Sequence, residues 1–211
     1  MKRIDEATLA SLRETVMESM SPKRFRHTVA VEAMIERLCA LFCPEYTMQM
    51  RAAALLHDLT KELDTAAQLA LCERYGLEVT VCDRLSPKTF HARTAAAKIQ
   101  AEMPAFDDEM IVNAVRWHTT GHAGMTLTEK LLYLADYIDD SRTFESCVAL
   151  RNFFFDADPS SMSKEEREAH LRRTLIRSYD YTIRDLIEEG RVVSDDTFCA
   201  RNELLVDESM R

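Results

Sequence analysis

The scarcity of chain-breaking residues is the feature that most limits what this sequence can fold into. Only four glycines and five prolines occur among 211 residues, while alanine, leucine, glutamate, arginine and methionine are abundant. This composition is what long helices joined by short turns require. Hydrophobic residues make up 46% of the chain, which is enough to fill a substantial core. We therefore predict an all-α fold.

Helix start and stop signals divide the chain into predicted helices. Ser21 followed by Pro22 is typical of an N-cap with proline at the first helical position. Thr126 and Glu129 have the spacing of a capping box. The stretch LEVTV at residues 77–81 alternates briefly like a strand, and we interpret it as a loop. The predicted helices cover about residues 4–20, 22–41, 47–58, 65–76, 91–103, 108–117, 127–140, 163–189 and 196–205.

The pattern predicts a single domain over residues 1–211. We find no internal repeat, no low-complexity tract and no linker, although the polar segment DADPSSMSKEE interrupts the last third. The simplest partition has a core over about residues 20–145 and a C-terminal helical extension over about residues 146–211.

Charge, cysteine usage and hydropathy exclude several classes of function. A formal net charge of -9 argues against a general nucleic-acid binder, because phosphate backbones are held by an excess of lysine and arginine. The six cysteines show no CxxC pair, and the start MKRIDEATLA lacks an apolar signal region. The longest apolar run, LCALFC, is too short to cross a bilayer. We therefore expect a cytoplasmic protein with reduced thiols and no membrane contact.

Polar residues in apolar helical surroundings indicate where the chemistry lies. His57 and Asp58 end the apolar run AAALL, and Asp136 lies inside the apolar helix LLYLADYIDD. A buried carboxylate needs a cation. Either Arg142 or Lys130 provides it as a plain salt bridge, or a metal ion does so. The metal interpretation uses two imidazoles and two carboxylates as ligands, and we assign them to His27, His57, Asp58 and Asp136. This shell suits iron, manganese or zinc.

The order of these residues along the chain resembles that of the HD superfamily of metal-dependent phosphohydrolases. Within that superfamily the chain resembles the YqeK-like family over roughly residues 20–206, through SPKRFRHTVAV, AALLHDLTK, RWHTTG, LTEKLLYLADYIDDSR and DTFCARNELL in that order. The resemblance implies an all-α HD-domain bundle with iron at the site. It also implies symmetrical hydrolysis of diadenosine tetraphosphate to two ADP. Dinucleoside polyphosphate or ADP would then be the bound partner, and a homodimer is left open.

Further residues are candidates for substrate contact. Arg24 lies one helical turn before His27 and matches the family's phosphate-binding arginine; the alternative is an ordinary surface arginine. His91 and His118 lie at helix ends and suit phosphate oxygens or a second metal, and we favour phosphate contact. Arg142 is placed to hold a phosphate or Asp139. The residues assigned to substrate binding are Arg24, His27, Asp58, His91, Arg93, His118 and Arg142, and those assigned to catalysis are Asp58, His91 and His118.

Some of these assignments have alternatives of equal or greater weight. The family often has a glycine after the histidine equivalent to His91, whereas this chain has Ala92 and Arg93, so the role of that turn differs here. Lys61 is placed to contact a ligand, or it is solvated. We expect His122 to be solvated in a glycine-flanked turn and His170 to lie on a helix surface. Two other functions remain open: a different HD-type nucleotide phosphohydrolase, such as a nucleotidase, and a nucleotide-binding adaptor without activity.

Overall fold

The structure is a computed structural model that describes residues 4–209. Over that range the chain consists of α-helices, two 3₁₀ turns (Pro44–Tyr46 and Pro87–Thr89) and connecting loops, with no strand. The prediction of an all-α fold is confirmed. The helices are α1 Glu6–Ser19, α2 Pro22–Phe42, α3 Thr47–Leu56, α4 Thr65–Arg74, α5 Val81–Leu85, α6 Phe90–Glu102, α7 Glu109–Trp117, α8 Leu127–Ile138, α9 Glu145–Phe155, α10 Lys164–Glu188 and α11 Asp195–Ser209.

Side-chain caps fix where the site-bearing helices begin. The Ser21 hydroxyl accepts a hydrogen bond from the Arg24 amide at 3.2 Å at the start of α2. At the start of α8, Thr126 and Glu129 form the predicted capping box. A second capping box at Thr80 begins α5, a short helix that the loop interpretation of residues 77–81 does not foresee. Helix α9 is likewise absent from the predicted segments, although it lies within the predicted helical extension.

Helix α3 lies at the centre of the bundle, where it contacts α1, α2, α7 and α8. All residues from Met50 to Leu56 are buried, and three of them are consecutive alanines. Because alanine side chains are short, neighbouring helices can approach α3 closely and still pack at native density. The helix therefore delivers the residues that follow it, His57 and Asp58, into the interior.

The C-terminal helices pack against this core through α10, which contacts α8, α9 and α11. His170 lies on the inner face of α10 and is only 3% exposed, so the prediction of a surface position is wrong. Its Nε2 donates a hydrogen bond to the Phe154 carbonyl at 3.0 Å, and its ring stacks on the Phe154 ring. The many charged neighbours in sequence conceal this position, because they occupy the other faces of the same helix.

Hydropathy along the helices gives one further result. Within residues 4–209 no helix combines the length and the apolar character that crossing a bilayer requires.

The turn between α7 and α8 depends on Gly121. Its φ of +64° lies in the left-handed region, and a Cβ there would overlap the hydroxyl of Tyr179 and approach Met125 Sδ to 3.0 Å. Tyr179 is completely buried, so it has little room to move. Gly124 provides a comparison in the same turn, because its φ is +78° but a Cβ there would meet nothing within 4 Å.

We predict that Gly121→Ala lowers the free energy of unfolding by about 2–5 kcal/mol, combining left-handed strain with overpacking. Gly124→Ala should cost only the strain, about 1–2 kcal/mol. Urea denaturation of both variants measures the difference. Equal losses in the two variants would show that the contact with Tyr179 contributes nothing.

Candidate metal centre

Ends and inner faces of five segments converge on one cluster of histidines and aspartates. Helix α2 contributes a histidine from its second turn, the turn after α3 contributes two adjacent residues, and α8 contributes an aspartate from its last turn. The first turn of α6 and the residue after α7 each contribute a histidine. The members of this His/Asp cluster are His27, His57, Asp58, His91, His118 and Asp136.

Three of the rings are oriented by the backbone. His57, His91 and His118 each place Nδ1 at hydrogen-bond distance from the carbonyl oxygen three residues earlier. A carbonyl only accepts, so Nδ1 carries a proton in each ring, and the lone pair of the neutral ring lies on Nε2. The distances are 2.6 Å from His57 to Ala54, 2.7 Å from His91 to Lys88 and 2.7 Å from His118 to Val115. In its neutral form each ring therefore points Nε2, the nitrogen that can ligate a metal ion, into the cluster.

The four predicted metal ligands form one half of the cluster. Asp136 Oδ1 lies 2.9 Å from His27 Nε2 and 3.7 Å from His57 Nε2. Asp58 Oδ2 lies 3.4 Å from His57 Nε2 and 3.7 Å from His27 Nε2. The Nε2 atoms of His27 and His57 are buried and have no hydrogen-bond partner of acceptable geometry. Buried nitrogens of this kind are rare in proteins, and a divalent ion at about 2 Å from each ligand atom would satisfy them.

The other half of the cluster uses the second oxygen of the same carboxylate. Asp58 Oδ1 lies 3.3 Å from His91 Nε2 and 3.8 Å from His118 Nε2. The two ring nitrogens are 3.0 Å apart. If both rings carry the proton on Nδ1, their lone pairs face each other, which is unfavourable unless a cation lies between them. The donor set therefore fits a second cation as well as the first, with Asp58 between the two.

Burial and charge together set the protonation of the cluster. Burial alone would raise the pKa of Asp58, but the charge of His57, its hydrogen bond and the charges of His91 and Lys61 together hold that pKa well below its usual value. Burial likewise lowers the pKa of His57, yet the carboxylates of Asp58 and Asp136 raise it to about 10. Burial and the charge of His57 lower the pKa of His118 to about 4, and burial with the charge of Lys61 lowers that of His91. His91 and His118 are therefore neutral at pH 7, as metal ligands must be.

Two arginines border the cluster. Arg24 donates from Nη1 to Asp58 Oδ2 at 2.7 Å, and Arg142 donates from Nη2 to Asp136 Oδ1 at 2.6 Å. Asp136 therefore contacts both an arginine and the histidines of the cluster. Lys130 forms no ion pair among residues 4–209, so it is not the cation that Asp136 needs.

Asp139 and Lys61 are two further polar residues at the site. Asp139 is fully buried, and its Oδ2 lies 3.3 Å from His27 Nδ1 and 3.4 Å from Arg142 Nε. It therefore orients both the ring and the guanidinium; its position at the end of α8, three residues after Asp136, is the signal that could have identified it. Lys61 Nζ lies 3.2 Å from His91 Nε2, so it contacts the cluster and is only partly exposed.

A cavity of about 460 Å³, which we call the large cavity, opens beside the cluster. Asp136 and His118 line its inner end, together with Lys61 and Arg142. Its outer wall comes from the α8–α9 loop, from α10 and from the segment before α11, and Phe144 stands at its edge with 70% of its surface exposed. The volume lies in the range of cavities that bind nucleotides and other small molecules.

Two sequence-based assignments differ from the structure. Arg93 does not reach the cluster, because it follows His91 by two residues and so points about 200° away around α6. Its guanidinium instead contacts the Glu78 carbonyl and pairs with Asp83 at 3.0 Å. The expectation that His122 is solvated is also wrong. Its ring packs on Trp117 at 4.3 Å, and its side chain is only 24% exposed.

Comparisons with known proteins identify the family of this chain. The sequence profile of the HD domain family matches residues 24–140. A symmetrical bis(5'-nucleosyl)-tetraphosphatase of Bacillus subtilis is 30% identical over 190 residues, covering 90% of this chain and 94% of that protein. A protein of the same name from Halalkalibacterium halodurans is 26% identical, covering 92% of this chain and 96% of its own length.

A solved structure resembles the whole fold. The crystal structure of a predicted HD superfamily hydrolase from Clostridium acetobutylicum, described as involved in NAD metabolism, superposes with a TM-score of 0.81. It is 29% identical in sequence and covers 94% of this chain and 97% of its own chain. The likeness therefore extends beyond the core to the C-terminal helices.

We predict that Asp136→Ala lowers the amount of metal bound per chain, because it removes a carboxylate that faces two of the ring nitrogens. Asp140→Ala is the matched control, since Asp140 is exposed in the same segment and faces Arg37 instead. Metal analysis after reconstitution with iron or manganese measures the effect. Equal metal content in the two variants would contradict the assignment of Asp136.

Proposed function

The chain belongs to the HD superfamily of metal-dependent phosphohydrolases and, within it, to the YqeK-like family, and from this premise we propose that it hydrolyses diadenosine tetraphosphate symmetrically to two ADP. The observation that carries the proposal is the His/Asp cluster, with its unsatisfied buried ring nitrogens, at the inner end of the large cavity. Relatives that carry the name of this activity align over more than nine-tenths of their length.

The proposal places a first divalent ion among the four ligands assigned from the sequence, His27, His57, Asp58 and Asp136. His91 and His118 support a second ion better than direct phosphate contact, because both Nε2 atoms face Asp58 Oδ1. Imidazole and carboxylate donors suit iron, manganese and zinc, and the resemblance to the family favours iron. When bound, such ions polarise a phosphoryl oxygen and lower the pKa of coordinated water, so that hydroxide is available near neutral pH.

The residues of the chain position the substrate and the water. Arg24 and Arg142 already point at the ligand carboxylates, so their remaining N–H groups can hold phosphate oxygens beside the cluster. Asp58, between the two halves of the cluster, orients the attacking water. The water oxygen bonds to a phosphorus next to the central bridging oxygen, and the bond from that phosphorus to the bridging oxygen breaks. One ADP leaves on the bridging oxygen, and the other carries the oxygen of the water.

The large cavity accommodates the half of the substrate that is retained. Its inner end carries the phosphate-binding groups, whereas its edge carries Phe144, whose exposed ring offers a face for a base. Base–aromatic stacking contributes about 1–3 kcal/mol and tolerates different bases. Arg93, which lines a different cavity, has no role in this half of the site.

We expect ADP as the sole nucleotide product from diadenosine tetraphosphate, measured by chromatography of the reaction mixture. Asp58→Ala should abolish hydrolysis, because Asp58 serves both halves of the cluster. Phosphate release from mononucleotides, without cleavage of diadenosine tetraphosphate, would instead identify a nucleotidase. Nucleotide binding without turnover by the metal-loaded protein would identify an adaptor.

Replacement of Arg24 should weaken substrate binding more than replacement of its exposed neighbour Arg26. We predict that Arg24→Ala raises KM by about tenfold or more, because a hydrogen bond to a charged group contributes about 1.5–3 kcal/mol. Arg26→Ala should change KM by less than about twofold, as expected for a surface substitution. Steady-state kinetics on both variants checks the prediction, and similar KM values for the two would refute it.

A further inference from the structure

A second cavity also reaches the cluster. This small cavity, of about 290 Å³, lies between the start of α4 and the 3₁₀ turn Pro87–Thr89. It reaches the cluster through His91, whereas the large cavity reaches it through His118 and Asp136. Lys61 and Lys88 line both cavities. The cluster and these two lysines therefore stand at the junction of two separate spaces.

The junction carries positive charge that the protein itself leaves unpaired. Arg24 and Arg142 are engaged by Asp58 and Asp136, but neither Lys61 nor Lys88 has a carboxylate oxygen within 4 Å among the described residues. Lys61 contacts only the ring of His91. In a chain of net charge -9, two lysines that line both cavities and have no carboxylate partner are suited to a polyanion that crosses from one space to the other.

We infer that the small cavity binds the second nucleoside diphosphate unit of a dinucleotide, the half that leaves, with Lys61 and Lys88 under its phosphates. The inference rests on the proposed function and specifies how the substrate lies. Symmetrical cleavage puts the reacting phosphorus at the cluster and one nucleotide on each side of it. The large cavity meets the cluster at its inner end and holds one half, so the other half needs a space that also begins at the cluster.

A third cavity, of about 300 Å³ and lined by Arg93 and Arg116, is the competing location. It adjoins the large cavity at Thr89 and Thr120, but no residue of the cluster lines it. Three aspartates share that lining; one of them is paired with Arg93, and the other two oppose an anionic ligand. These aspartates are Asp83, Asp195 and Asp196. The leaving half would have to pass the retained half to reach it, which favours the small cavity.

The lining of the small cavity indicates weak selection of the second base. Its buried amide, Gln68, is already satisfied, because it donates to the Thr60 carbonyl at 2.5 Å and accepts from the Thr94 hydroxyl at 2.6 Å. Leu63, which is 43% exposed, and Pro87 offer apolar contact instead. Apolar contact supports a base without reading its hydrogen-bonding edge.

Filling the small cavity tests the inference by binding and not by turnover. The metal-loaded protein is titrated calorimetrically with ADP and with a diadenosine tetraphosphate analogue whose central bridging oxygen is replaced by methylene. Leu63→Trp should weaken binding of the analogue by about tenfold or more, equivalent to about 1.4 kcal/mol, and change ADP binding by less than about twofold. Leu85→Trp is the matched control, since Leu85 is 61% exposed and lines neither cavity. It should alter neither affinity.

Three results would overturn the inference. The analogue could bind Leu63→Trp as tightly as the unchanged protein, or Leu63→Trp could weaken ADP and analogue equally. The third result would be that Cys82→Trp, which fills the cavity of Arg93 and Arg116, weakens binding of the analogue while Leu63→Trp does not. Failure of the proposed function is a separate result, in which the unchanged protein does not cleave diadenosine tetraphosphate. Selective loss of analogue binding in Leu63→Trp would still place a second nucleotide in the small cavity.

Discussion

The carboxylate of Asp58 is the element on which the rest of the structure depends. Each of its oxygens faces a different pair of imidazoles, and the whole group is 97% removed from solvent. A buried charge in this position needs cations on both sides. The convergence of α2, α3, α6 and α7 supplies the imidazoles, because each of these helices carries or adjoins a histidine near one of its ends.

The sequence was sufficient to predict the fold and much of the cluster. Caps, prolines and apolar periodicity predict most of the helices. Asp136 is identifiable as a site residue because it is a carboxylate among apolar helical neighbours. Helix geometry separates Arg93 from His91 around α6, but which of the two faces the cluster depends on which face of α6 packs inward. The surface position predicted for His170 is wrong for a similar reason. Its sequence neighbours are charged, but packing against α9 buries its own side chain. Tertiary packing decided both cases.

Chemistry and ligand choice are divided between two parts of the chain. All six residues of the cluster fall within residues 24–140, the segment that matches the HD domain family. The outer wall of the large cavity comes mostly from later residues, including Phe144, Asp185 and Arg191. The core therefore carries the reactive groups, and the C-terminal helices shape the space beside them.

The hydrogen bonds from Nδ1 of His57, His91 and His118 to their own backbone carbonyls have an evolutionary consequence. In many metalloproteins a separate carboxylate steers each imidazole, so two positions must be inherited together. Here the helical backbone does the steering, whatever side chain the carbonyl residue bears. Related sequences can therefore diverge widely around these rings while the orientation of the rings is retained. This suits a protein about 30% identical to a relative.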